Sequence, residues 1–162
     1  MPPNKAVPMS PTPVHGHPPL CGPSAAPLPA AEASRSTVLV VEDEPIVRIS
    51  VCDALESAGL GVEEAADADR ALRFLATLGA DRDRCRVLVT DVNLGRGPDG
   101  IALAAEARRS VPGLHVVYIT GNPERVLKDR SALRDRECVL GKPFRTAELV
   151  TAVRRLAASS AA

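Results

Sequence analysis

The stretch VLVTD, Val87 to Asp91, is a run of apolar and β-branched residues too short for a helix, and Asn93, Gly95, Gly97 and Pro98 break the chain just after it. A short apolar run bounded by turn formers reads as a strand buried on both faces, the situation of a strand inside a parallel sheet. Its last residue is an aspartate. In open parallel sheets ligands bind in the crevice outside the carboxyl ends of the strands, so a carboxylate at this position stands where a site would be built.

Outward from that strand, short apolar runs alternate with amphipathic segments. Upstream, Thr37 to Val41 is a buried-strand run, and Pro45 marks the start of a helix with apolar positions Ile46, Val47, Val51, Leu55 and Ala58 before Gly59 ends it. A weaker strand, Leu60 to Ala65, precedes a helix capped by Asp67 and running through Ala71, Leu72, Leu75 and Leu78. Downstream, a glycine-rich loop leads to a helix from about Asp99 to Ser110, and Pro112-Gly113 turn into the strand Leu114 to Thr120. Asn122-Pro123 open a fourth helix ending near Leu133, Cys138 to Leu140 is a fifth strand, and a fifth helix runs from Thr146 to about Ala158. This alternation specifies an α/β domain: a doubly wound, five-stranded parallel sheet in a three-layer αβα sandwich with right-handed crossovers.

Composition narrows the function classes. A chain of 162 residues with 45% hydrophobic content buries one proper core and hardly two. Twenty acidic residues balance twenty basic ones, so the charge gives no support to binding of a polyanion. Aromatics at 2% argue against base-stacking platforms and aromatic-lined grooves. No apolar run approaches the roughly 20 residues that a membrane span needs. Cys21, Cys52, Cys85 and Cys138 are widely spaced with no C-x-x-C pair, so neither a zinc site nor a disulfide framework is expected, and a reducing cytoplasm is the expected location.

Residues 1–34 are a different material: they hold ten of the fifteen prolines and show no apolar period. They read as a disordered arm without the basic start and apolar core of a secretory signal, and His15 and His17 within it as tail composition. The ordered domain is expected over 36–158, with 159–162 as a short tail.

Each strong strand stops at a residue with chemistry. The first ends in Glu42-Asp43, the third in Asp91, the fourth in Thr120, and the fifth is followed by Lys142-Pro143. With the flavodoxin-like order 2-1-3-4-5, strands one and three are neighbours, which puts Glu42, Asp43 and Asp91 about one strand spacing apart, roughly 4.8 Å. Carboxylates that close repel one another unless a cation sits among them, and a hard, oxygen-seeking ion such as Mg²⁺ suits them. A hydroxyl from Thr120 and an ammonium from Lys142 on the other side complete the description of a phosphoryl-binding site whose aspartate is the acceptor. Taken singly these residues could be helix-cap acids, a turn aspartate, a strand threonine and a loop lysine. Their joint occurrence at successive strand ends favours the site.

VLVVEDE, VLVTDVNLGRGPDG, VVYITGN and VLGKPF together resemble the receiver domain of two-component response regulators, over Ser36 to about Ala158. The resemblance implies that Asp91 accepts a phosphoryl group from a phosphohistidine on a histidine kinase or phosphotransfer protein. It further implies Mg²⁺ bound by Asp43, Asp91 and the backbone carbonyl of Asn93, with Glu42 acting largely through water. Thr120 would move in to hold the phosphoryl group, Lys142 would pair with its oxygens, and Pro143 would follow a cis peptide bond. Two positions depart from the family. Gly95 stands where a proline is usual, in a loop one residue longer that includes Arg96, and Val139 replaces an aromatic residue that reports phosphorylation. Tyr118-Ile119-Thr120-Gly121 is similar to the corresponding ending in an alphaproteobacterial subgroup of stand-alone receivers.

The stretch after Lys142-Pro143 has room for one helix and a short tail, so the expectation is a single-domain regulator. It would signal by protein contacts through a face formed by helix four, strand five and helix five. The basic residues Arg125, Lys128, Arg130, Arg134 and Arg136 read as a solvated helix and turn, or as a docking face for a downstream protein target. Two other readings stay open. A receiver that binds partners without being phosphorylated fits the altered loop and Val139. A haloacid-dehalogenase-like phosphohydrolase shares the aspartyl phosphate, but there the nucleophile comes before the acid pair, whereas here the acid pair leads and Asn93 holds the position of the second aspartate.

Overall fold

In the computed structural model, which describes residues 20–21, 37–95, 97–128 and 136–159, the Val87 run lies at the centre of the sheet. Five parallel strands alternate with helices: β1 (Thr37–Val41), α1 (Pro45–Ser57), β2 (Gly61–Ala65), α2 (Ala68–Thr77), β3 (Cys85–Asp91), α3 (Gly100–Ser110), β4 (His115–Thr120), α4 (Pro123–Lys128), β5 (Glu137–Gly141) and α5 (Thr146–Ala158). A turn of 3₁₀ helix, Arg82–Arg84, precedes β3. The strand order is 2-1-3-4-5, as expected. A further two-residue strand, Leu20–Cys21, adds antiparallel to the outer edge of β5.

The strand periodicity divides the core into two layers. Leu39, Val41, Leu88, Val116 and Tyr118 face α2 and α3, where they meet Ala71, Leu75, Leu103 and Ala107. Val38, Val40, Val87, Val89, Val117 and Ile119 face α1 and α5 and meet Val51, Leu55, Leu149 and Val153. Burial on both faces is what makes β3 and β4 continuous apolar runs. The edge strand β2, covered less, buries only Ala65 within its span.

The caps follow the expected chemistry. The Asp67 side chain accepts from the Arg70 N–H, and that of Asp99 from the N–H groups of Ile101 and Ala102. Pro45 opens α1, where its missing donor removes no helical bond. Of the apolar positions that mark α1 in the sequence, Ile46 is 75% exposed, and Ile49 is 54% exposed as well. The buried stripe of α1 runs instead through Val51, Cys52 and Leu55.

The cysteine expectation needs correcting. Cys52 and Cys85 are buried free thiols, but Cys138 is disulfide-bonded. Its place in β5 sets it across from Cys21 in the added strand, a juxtaposition that sequence spacing does not show. The rest of the arm, His15 and His17 included, lies outside the described residues, as do Arg96 and the expected end of the fourth helix near Leu133.

At the other end of the sheet from Asp91, His115 opens β4 almost fully buried. Burial, reinforced by Arg136, Arg108 and Arg86, pushes its imidazole down to about 4. The unfolded chain then binds more protons than the folded one between pH 6.5 and 4, so stability falls as pH drops through that window. Urea unfolding at pH 7 and pH 4.5 is expected to show His115→Gln losing about 2 kcal/mol less on acidification than the parent chain. An equal loss in both would show that His115 titrates normally.

Candidate phosphoryl-acceptor site

The site is built where β1, β3, β4 and β5 end. β1 runs out into Glu42 and Asp43, and pairing of Val41 with Thr90 brings them beside Asp91, the last residue of β3. One carboxylate oxygen from each of Glu42, Asp43 and Asp91 lies within 4.8 Å of the others. Glu42 and Asp91 are buried at 3% and 7% exposure, and Asp43 is open to solvent. The distance is the one that adjacent strands impose, so the cluster follows from sheet order rather than from any local motif.

Lys142 enters from beyond β5. Its backbone N–H donates to the Thr120 carbonyl at 2.7 Å, and its Nζ donates to Glu42 Oε2 at 3.0 Å and to Asp91 Oδ2 at 2.5 Å. Burial alone would lower the pKa of this ammonium. Its hydrogen bonds to Asp91 and Glu42 outweigh that effect and hold it above the ordinary lysine value. Burial likewise dominates at Glu42, whose carboxyl stays above its usual range although Lys142 pulls it down. The peptide bond between Lys142 and Pro143 is cis.

Backbone groups complete the cradle. Asn93 N–H donates to Asp91 Oδ1 at 2.9 Å, and Val92 N–H ties the strand end to the Ile119 carbonyl of β4. Thr120, the last residue of β4, is buried, and its hydroxyl accepts from Asn122 N–H at 3.1 Å. Thus Glu42, Asp43, Asp91 and Lys142 are brought together, with the Asn93 backbone against Asp91 and Thr120 one register step beyond it. Chemically the arrangement can do two things: gather oxygen ligands for a hard cation, and present one carboxylate oxygen beside an ammonium that can follow an incoming anion.

Two glycines shape the site, Gly95 by more than the turn it marks in the sequence and Gly100 without any sequence signal. A side chain on Gly100 would meet the Asp91 carbonyl oxygen at 2.0 Å, so only glycine lets α3 start this close to the end of β3. Gly95 has φ +59 and its missing Cβ would lie 2.7 Å from Asp43 Oδ2. Proline, which fixes φ near −65°, cannot adopt that backbone, so the departure at Gly95 belongs to a loop of different shape. Val139 is buried and pairs in register with Tyr118, itself fully buried, so neither side chain lies on the surface. Of the basic residues after the site, Arg125 is exposed, and Arg136 is exposed and donates to the Pro112 carbonyl at 3.1 Å. Arg130, Arg134 and the side chain of Lys128 lie outside the described residues.

Residues 38–154 match the response regulator receiver domain family. The chain is 32% identical over 120 residues to the response regulator receiver protein CpdR of Brucella abortus, covering 74% of this chain and 94% of that one. It is 33% identical over 121 residues to the sensor kinase CckA of Brucella abortus, covering 75% of this chain but 12% of the kinase. Against the probable transcriptional regulatory protein TcrX of Mycobacterium tuberculosis it matches 51% of that protein's length at 33% identity, so it spans only part of these two relatives. Among solved structures, a response regulator receiver protein from Sinorhizobium medicae superposes with TM-score 0.67 at 29% identity, covering 77% of this chain and 96% of that one. The receiver domain of NtrX from Brucella abortus gives TM-score 0.60 at 32% identity, covering 74% and 97%. With the flavodoxin-like strand order, the acid cluster at the strand ends and this match over most of its length, the chain belongs to the response regulator receiver domain family of two-component systems.

Proposed function

We propose that this chain is a response regulator of a bacterial phosphorelay, whose Asp91 takes a phosphoryl group from a phosphohistidine and which signals through phosphorylation-dependent protein contacts. The observation that carries this reading is the contact of Lys142 Nζ with Asp91 Oδ2 inside a cluster of three carboxylates at the strand ends. Receiver domains are signalling modules that interact with histidine kinases or phosphotransfer proteins and bind Mg²⁺ at an acidic pocket. The donor set fits that ion: one ammonium against three carboxylates leaves two negative charges in excess, all on hard oxygen ligands. Asp43, Asp91 and the Asn93 carbonyl would hold the ion, with Glu42 acting through water. When bound it would neutralise charge on the transferring phosphoryl group.

The rest of the step falls to the chain itself. An Asp91 carboxylate oxygen attacks phosphorus, the P–N bond to the donor imidazole breaks, and the imidazole leaves with its electron pair. Lys142 moves its hydrogen bond from the carboxylate to a phosphoryl oxygen. Thr120 gives up its bond from Asn122 N–H and turns its hydroxyl to another phosphoryl oxygen, carrying the change into β4 and the neighbouring β5 face. No helix among the described residues is long and apolar enough to cross a membrane, and we place the relay in the cytoplasm.

Docking of the donor is supported by the exposed apolar start of α1. The exposed Ile46 lines a groove between α1 and α5 together with Val47, Ala54, Phe144 and Leu149, just after the acid pair, and Ile49 one turn on is also exposed. Such a groove suits the apolar stripe of a partner helix carrying the phosphohistidine.

Incubation with Mg²⁺ and acetyl phosphate is expected to add one phosphoryl group to the intact mass, labile in alkali, lost in Asp91→Asn and lost with EDTA. An unmodified mass, with a phosphorylated kinase also giving nothing, would favour a binding module that works without phosphorylation. Steady hydrolysis of a small phosphomonoester would instead revive a phosphohydrolase. The double variant Ile46→Ser with Ile49→Ser is expected to slow transfer from a protein donor at least ~10-fold, about 1.4 kcal/mol of lost contact, while labelling by acetyl phosphate is unchanged. Equal slowing of both would place these residues in the chemistry or the fold rather than in docking.

A further inference from the structure

We infer that Arg48 is a positioning residue for the cation site: it holds the turn that carries Glu42 and Asp43, and so sets how tightly that turn takes Mg²⁺. The inference rests on the metal-binding reading proposed above. The turn joins β1 to α1, and it lacks the device that fixes the starts of α2 and α3. Asp67 and Asp99 cap those helices through their side chains, whereas Glu44, at the N-cap of α1, makes no side-chain cap hydrogen bond.

Arg48 supplies a tie instead. From near the start of α1 its Nη1 reaches back to donate to the Glu42 carbonyl at 2.7 Å, while its Nε lies 3.3 Å from Glu64 Oε2 on β2. The side chain is only 15% exposed, so the guanidinium sits largely out of water, where a charge-assisted bond is strong and the planar fork fixes direction. Glu64 stands opposite Val40 in the β1–β2 register, which anchors the far end of the fork on the sheet. Because Glu64 is 58% exposed, that ion pair contributes orientation more than energy.

The pinned carbonyl belongs to the peptide that joins the two acids. A peptide is planar, so holding its oxygen restricts ψ of Glu42 and φ of Asp43 together. The other bonds of the turn act on Glu42: its N–H donates to the Ala65 carbonyl at 3.2 Å, its Oε1 accepts from Glu44 N–H at 3.3 Å, and its Oε2 accepts from Lys142. Asp43 is open to solvent, and among the described residues no hydrogen bond holds its carboxylate. Its place therefore depends on the backbone on either side, and Arg48 pins the preceding peptide.

Charge and geometry make opposite predictions for this residue. A cation beside a cation site weakens binding, so on charge alone the loss of the guanidinium would tighten Mg²⁺. If Arg48 positions the turn, its loss frees Asp43 and weakens Mg²⁺, and groups that orient metal ligands are typically worth about 10- to 100-fold in affinity.

The test follows the amide NMR signals of Asp43 and Asn93 in the full chain as Mg²⁺ is added, with thermal unfolding of each variant measured alongside. Arg48→Met keeps the buried stem and removes the fork. Its dissociation constant for Mg²⁺ is expected to rise at least ~10-fold over the parent's, in a protein whose dispersed spectrum shows it folded. A smaller rise, no change or a fall would overturn the inference even if the melting point drops, because Arg48 would then serve only the fold or only the charge. Arg48→Lys, which keeps stem and charge but has one ammonium for two acceptors, decides the matter if the methionine variant does not fold. Binding weakened at least about threefold is expected there, and any smaller effect overturns the inference. A parent chain without saturable shifts would remove the metal site itself, and the role of Arg48 with it.

Discussion

Three carboxylates held within 4.8 Å at the ends of two adjacent strands are the constraint to which the rest of the site answers. Their mutual repulsion would disperse them on a flexible loop. Here the β1–β3 pairing fixes the backbone on both sides, and Lys142 reaches across from β5 to hold Glu42 and Asp91 together. The sheet therefore supplies the work of concentrating charge, with apolar burial on both faces as its source. The same excess of negative charge makes the cluster a place for a dication, and the same ammonium can follow charge that arrives on Asp91.

Close approach at this end of the sheet depends on missing side chains. Gly100 lets the first turn of α3 sit against the Asp91 carbonyl, and Gly141 at the end of β5 leaves room for Pro123, whose ring a Cβ there would meet at 2.9 Å. Gly95 brings the loop after β3 over Asp43 in a conformation closed to proline. Asp91 is thus approached over a loop whose backbone only glycine adopts readily.

Much of this was legible from residue order. β3 announced itself as an apolar run too short for a helix, and the chemistry at the strand ends followed once the sheet order was taken as 2-1-3-4-5, because that order alone makes Glu42 and Asp91 neighbours. The helix cap at Asp67 was equally plain. Ile46 gave no sign of its exposure, since as an apolar position it marks the helix as well as Val51 or Leu55 does, yet it is 75% exposed while those two are buried. The pairing of Leu20–Cys21 with β5 was invisible, because a two-residue strand has no periodicity and its partner lies more than a hundred positions away. The roles of Gly95 and Gly100 were hidden as well: a glycine's contribution is the space it leaves, which only the folded neighbours reveal.

The central claim is that Asp91, and not one of the carboxylates beside it, carries the phosphoryl group. Borohydride reduces an acyl phosphate to the alcohol, so treating the phosphorylated chain and sequencing its peptides marks the acceptor as homoserine. Homoserine at position 91 is the predicted result. Homoserine at position 43, 2-amino-5-hydroxypentanoic acid at position 42, or an unreduced chain that still carries phosphate, would contradict the account.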